Sequence, residues 1–200
     1  MLLPILTHVI MTEKTLRKDM WESAGYAGLA LGLVSVVYMY INNFLGRAVI
    51  ETPENASGLY EILGLVFWAA KFTGCIILMK FFMKKFSASY PEATNKDVMK
   101  MGIATALLSA FLYSAVQFAD MAYFQADYYN AVFASALKEM PKMDMNTMNQ
   151  IREIIDMIPQ ISFVINLLYC FVYGAILSAI LSRNIPSNDP FANYNKPDEQ

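Results

Sequence analysis

The chain has 200 residues, 56% of them hydrophobic and 16% charged, with a formal net charge of -2 and a mean hydropathy of +0.37. Soluble domains hold about 45–50% apolar and about 25% charged residues, so a water-soluble enzyme is a poor match, and no basic face is left over to make nucleic acid an expected partner. One histidine, His8, and two cysteines, Cys75 and Cys170, leave metal sites, Ser/His/Asp catalysis and disulfide frameworks without their parts.

The first ten residues, MLLPILTHVI, resemble the start of a secretory signal but lack a basic n-region, and Pro4 and His8 interrupt the apolar run. Met11 opens MTEKTLRKDMW, a cytoplasmic lead-in, and is read as the translation start, the alternative being a short disordered extension. Residues 1–20 form this N-terminal segment, and 21–182 hold four runs long enough to cross a hydrocarbon layer, which takes about 20 helical residues. The runs are Gly25 to Leu45, Ile62 to Phe82, Met101 to Tyr123 and Ile161 to Leu181. Charged residues or interface-seeking aromatics such as Trp21, Tyr60, Phe86 and Tyr123 flank them. Cys75 and Cys170 fall inside two of these runs, where a thiol packs as a small hydrophobe.

Between the third and fourth runs, residues 126–158 carry their own helical period. Met148, Ile151, Ile155 and Ile158 recur at steps of three and four, with Asn149, Arg152, Glu153 and Asp156 opposite. Thr147 and Gln150 fit a capping box, and Pro159 stops the helix before the fourth run. Tyr129, Phe133, Ala136 and Met140 give a less regular partner, so an amphipathic helical hairpin is expected on the outer membrane surface. Residues 183–200, rich in Pro, Asn and Asp, read as a disordered cytoplasmic tail.

Cytoplasmic connections retain Lys and Arg. Lys14, Arg17 and Lys18, then Lys80, Lys84, Lys85, Lys96 and Lys100, then Arg183 and Lys196 lie on one side; Arg47, Lys138, Lys142 and Arg152 lie on the other. Both termini are therefore expected in the cytoplasm. The fold class that follows is an all-α integral membrane protein with four transmembrane helices.

Small residues form stripes on three spans: Gly25, Gly28, Gly32 and Ser35; Gly102, Ala106, Ala110 and Ser114; Asn166, Cys170, Gly174, Ser178 and Ser182. Helices in lipid associate by close packing, so these mark contact faces. Gly28, Gly32, Gly102, Gly174 and Ser178 are the expected packing residues, with Gly64 and Gly74 of the second span set against them.

Lys71 stands in the middle of GLVFWAAKFTGCIILM, about 15 Å from either interface. Its stem reaches only about 6 Å, and a charge at that depth costs about 2.5–3.5 kcal/mol on insertion scales. No carboxylate shares its depth, whereas Ser35, Ser109, Tyr113, Tyr169 and Tyr173 do. An interior, hydrogen-bonded lysine, a site for an anionic substrate or lipid headgroup, and a lipid-facing snorkelling side chain remain the three readings. The candidate intramembrane polar site is Lys71, Ser109, Tyr113, Tyr169 and Tyr173. Asp120, Gln117, Asn42, Asn43 and Asn166 read as near-interface residues meeting water, or as an outward-facing pocket.

The basic N-terminus, the glycine-lined first span, KKF at Lys84 to Phe86, DVMKMGIATALLSAFLYSA, ADYYN, IIDMIPQ and the small-residue fourth span together resemble a bacterial membrane family, domain of unknown function 4199. The resemblance covers Met11 to Ser182 and implies four transmembrane helices in a bacterial cytoplasmic membrane; it carries over no catalytic residue, and mid-span Lys71 matches nothing in its pattern. The expected function is a non-enzymatic accessory or envelope component needing no cofactor. Its partners would be the lipid bilayer and, through the outer loop, another envelope protein or a second copy. The alternative is a small oligomeric transporter or channel subunit using Lys71.

Overall fold

The computed structural model describes the backbone of residues 2–51, 54–139 and 145–185, and side chains within 15–47, 58–133 and 147–185 apart from 148, 149 and 152. The chain forms α1 (Leu2–Glu51), α2 (Glu54–Ser89), α3 (Asn95–Ala119), a π-helical turn (Asp120–Phe124), α4 (Ala126–Glu139), α5 (Met145–Asp156) and α6 (Ile158–Arg183). Among the described residues four segments are long and apolar enough to cross a membrane: Thr15–Arg47, Gly58–Ser89, Asn95–Phe124 and Ile158–Arg183. Each outlasts the corresponding apolar run of the sequence at both ends, because backbone hydrogen bonding continues past the last apolar residue. α5 starts at Met145, two residues before the expected Thr147, and Pro159 sits in the first turn of α6, where its missing N–H costs nothing. The stretch between α4 and α5, the tail beyond Ile185 and the side chains before Thr15 lie outside the described residues.

α3 is central, packed along α1 on one side and α6 on the other, while α2 rests on α1 and only grazes α3 and α6. The small residues explain these crossings. A Cβ added to Gly28 would lie 2.7 Å from the Leu108 Cβ, and at Gly32 3.1 Å from the Leu112 Cβ. At Gly102 it would lie 2.9 Å from the Ser178 Cβ, and at Gly174 2.5 Å from the Ala106 Cβ. Ser178 Oγ also donates to the Met99 carbonyl across the α3–α6 contact at 2.9 Å. Gly25, Gly64 and Gly74, expected in these contacts, face open space instead. α2 contributes larger side chains to the core, Met79, Met83 and Phe86.

The hydrophobic core gathers at mid-α1, where α3 begins and α2 and α6 end, here the Lys100 end. Ala24, Ala27, Leu31, Met79, Met83, Val98, Met101 and Leu181 are buried together there. The outward faces carry Leu33, Phe44, Leu65, Trp68, Phe111, Val164 and Ile176, all exposed. So many large apolar side chains on the outer faces suit contact with hydrocarbon.

At the Lys100 end α3 is started by Thr94, whose N–H and hydroxyl donate to Asp97 Oδ2 at 3.2 and 2.7 Å, while Lys100 Nζ pairs with Asp97 Oδ1 at 3.1 Å. Asp97→Ala is expected to lower the melting temperature of the detergent-purified protein by the equivalent of about 1 kcal/mol, as for loss of a helix cap.

Candidate functional site

Away from the Lys100 end the interior turns polar. Lys71, halfway along α2, places its ammonium 4.8 Å from the ring centroid of Tyr38 on α1 and 5.1 Å from that of Tyr113 on α3. Among the described residues it forms no ion pair. A cation over an aromatic face is attracted by the ring quadrupole, by about 2 kcal/mol or more when water is excluded. The two rings together thus match the cost of the charge in hydrocarbon.

Beside the ammonium lies a cavity of about 150 Å³ between α2 and the α1–α3–α6 layer. It is lined by Lys71, Ser35, Cys75, Ser109, Tyr169, Cys170 and Tyr173, with Leu31, Met79 and Leu177 as apolar wall. α2 is seated chiefly on α1 and touches α3 and α6 only lightly, which leaves room for this cavity and a slot towards α6. Trp68 stacks on Phe72 at 5.6 Å and Phe72 meets Tyr173 at 5.3 Å across that slot.

Of the residues expected to form the polar site, Lys71, Ser109, Tyr169 and Tyr173 border this cavity, and Tyr113 lies under the ammonium. Tyr169 is 71% exposed, so most of its ring faces outward. Tyr38 was not foreseen, although counting inward from the span ends puts it within a helical turn of the depth of Lys71. The two cysteines, read from sequence as packing residues, meet at the same cavity from α2 and α6.

A second polar cluster sits where α1 ends and α3 passes into the π turn. Asp120 is only 1% exposed, which departs from the reading of a residue meeting water; of the five residues weighed for a polar pocket, Asp120 and Asn43 line one together. Gln125 Nε2 donates to Asp120 Oδ1 and Oδ2 at 2.7 and 2.8 Å, and Asn43 Nδ2 approaches Oδ2 at 3.4 Å. Arg47 donates to Gln125 Oε1 and stands over the Tyr128 ring, 4.6 Å from its centroid. The π turn makes this possible: Gln125 N–H bonds the Asp120 carbonyl at 2.8 Å, and the extra residue in the turn brings both side chains inward. Gln117 and Asn166 pair separately across α3 and α6 at 3.0 Å, and Asn42 is exposed. A cavity of about 640 Å³ opens beside the Asp120 cluster.

Tyr129 of α4 packs its ring against Tyr128 at 5.5 Å and donates its N–H to the Gln125 carbonyl at 3.1 Å, next to the Asp120 cluster. Burial, and then the Asp120 carboxylate, push its phenol above the ordinary value of 10.0. Among the described residues no three His, Cys, Asp or Glu side chains gather into a group that could hold a metal ion. The Lys71 cavity can offer a cation and hydroxyl or thiol donors to an acceptor group.

Four long apolar helices around a lysine-bearing internal cavity define a helical protein with membrane-span-like segments. The chain belongs to the DUF4199 family, described as a protein of unknown function, which it matches over residues 26–183. The match begins inside α1 and ends with the last residue of α6. Neither a curated protein nor a solved structure matches the chain.

Proposed function

We propose that this is a multipass membrane protein with both chain ends in the cytoplasm. In this reading it is a non-enzymatic accessory component that holds the polar head of a small bilayer-dissolved molecule at Lys71. The observation that carries the reading is the Lys71 ammonium, set over two tyrosine rings and facing a cavity with no carboxylate in its lining. Intramembrane ionisable side chains are functional candidates by default. A volume of about 150 Å³ is below the roughly 300–1,000 Å³ of sites that enclose a whole ligand. It admits a carboxylate or carbonyl head of a few atoms, with the rest of the molecule leaving through the α2–α6 slot into hydrocarbon. α4 and α5 supply the surface for another envelope protein, with Val132 and Ile154 exposed there.

Trp68 on the cavity wall supplies the test. In a Trp21→Phe background, where Trp68 is the sole tryptophan, a brominated fatty acid should quench its fluorescence at a lower mole fraction than the brominated methyl ester. Lys71→Met should abolish that difference. Equal quenching by acid and ester in the unaltered site would remove the reading.

A transporter or channel subunit is the second reading, favoured by the presence of a second polar cavity, at Asp120, on the same α1 and α3 helices that carry the tyrosines beneath Lys71. It requires water to reach the cavity. A membrane-impermeant thiol reagent that modifies Cys75 or Cys170 in sealed vesicles would favour transport; modification by permeant, apolar reagents alone favours the binding protein.

A further inference from the structure

The cavity beside Asp120 is lined by charges of both signs that do not neutralise one another. Arg47 stands at the end of α1 with its guanidinium on Gln125 and Tyr128, and among the described residues it has no carboxylate partner. A guanidinium has five N–H donors, so several remain for a ligand. Asp127, on the first turn of α4, lines the same cavity with its side chain exposed and no partner among the described residues. Asp120 closes the floor, and its carboxylate, which accepts from the two amide groups of Gln125 and Asn43, has room for one more donor. Two acidic groups against one basic group disfavour a purely anionic ligand. A ligand carrying both an anionic and a cationic group fits the set.

The surroundings give the ligand its depth. The cavity lies where the spans Thr15–Arg47 and Asn95–Phe124 both end, which in a membrane is the headgroup zone. Phe44 and Phe124, on its rim, are 72% and 75% exposed and face outward, where acyl chains would run. Its volume of about 640 Å³ falls in the roughly 300–1,000 Å³ range of ligand sites.

We infer that the Arg47–Asp120–Asp127 pocket binds a phosphate-plus-ammonium headgroup of an aminophospholipid, with Arg47 on the phosphate and the two carboxylates on the ammonium. The inference does not depend on the Lys71 reading: it uses other residues at the far end of α1 and α3. Bidentate guanidinium–phosphate contact fixes the orientation, and the acidic pair selects against headgroups lacking the amine.

Native mass spectrometry of the full chain with dioleoylphosphatidylethanolamine or dioleoylphosphatidylglycerol tests it. The ethanolamine lipid should bind about tenfold more tightly, the size of one charge-assisted contact. Asp127→Asn, at an exposed side chain, should reduce the preference severalfold while Asp120 keeps part of it, and Arg47→Gln should weaken both lipids by about tenfold. Soluble O-phosphoethanolamine should not displace the lipid at equimolar concentration. Equal binding of the two lipids, or a preference undiminished by Asp127→Asn, would overturn the assignment, and so would displacement by the soluble headgroup, which would mark a site for a free phosphoamine. Should Arg47→Gln fail to fold, the Asp127 comparison decides alone.

Discussion

Gly174→Leu is expected to stop α6 from seating on α3, and purified protein should be lost to aggregation or melt far below the parent in detergent. The reason is geometric. A Cβ at Gly174 would stand 2.5 Å from the Cβ and 3.4 Å from the Cα of Ala106, atoms that no rotamer change can move. The helices must separate, and with them the Ser178–Met99 hydrogen bond and the Gly102–Ser178 contact. Overpacking costs about 1–3 kcal/mol where the surroundings yield, and here they are two helix backbones. Gly174→Ala should already destabilise measurably. The same change at Gly64 or Gly74, where nothing lies within 4 Å, should leave stability unchanged or raise it by up to about 1 kcal/mol, the gain in helix propensity of Ala over Gly. A thermal-melting series over the four substitutions would show this ordering, and a Gly174→Ala protein as stable as Gly74→Ala would contradict the packing described.

That contrast marks how far the sequence could be read. Length, apolar fill and flanking charge located four long helices, and steps of four picked out Gly28, Gly32, Gly102, Gly174 and Ser178, all of which lie at close helix contacts. The same reasoning misplaced Gly25, Gly64 and Gly74. A glycine in an apolar run reads alike whether a helix or open space faces it, and only the packed structure shows that no neighbour approaches these three. Lys71 was visible as an anomaly, and its depth pointed to Ser109, Tyr113, Tyr169 and Tyr173. Tyr38 stayed hidden because a ring partner across a helix pair leaves no local pattern. The Asp120 cluster was further out of reach. Nothing in DMAYF announces a π turn; it becomes visible only with Gln125 returning to Asp120 and Arg47 reaching over from α1.

The second large effect concerns what holds Lys71 in place. With no carboxylate partner among the described residues, the ammonium depends on the faces of Tyr38 and Tyr113. At about 2 kcal/mol each, these roughly cancel the 2.5–3.5 kcal/mol that a mid-bilayer charge costs. Lys71→Met removes both sides of the balance, so its melting temperature should stay close to the parent, within the equivalent of about 1 kcal/mol. Tyr38→Leu with Tyr113→Leu removes only one side and should destabilise the protein by about 3–4 kcal/mol. Tyr113→Phe keeps the ring and should be near neutral, separating the π face from the hydroxyl. The decisive comparison is a double-mutant cycle. If ring and cation act on each other, the two tyrosine replacements should become much less harmful once Lys71 is already methionine. Tyrosines that served only as filling would cost the same in both backgrounds, since a void does not register the charge of its neighbour.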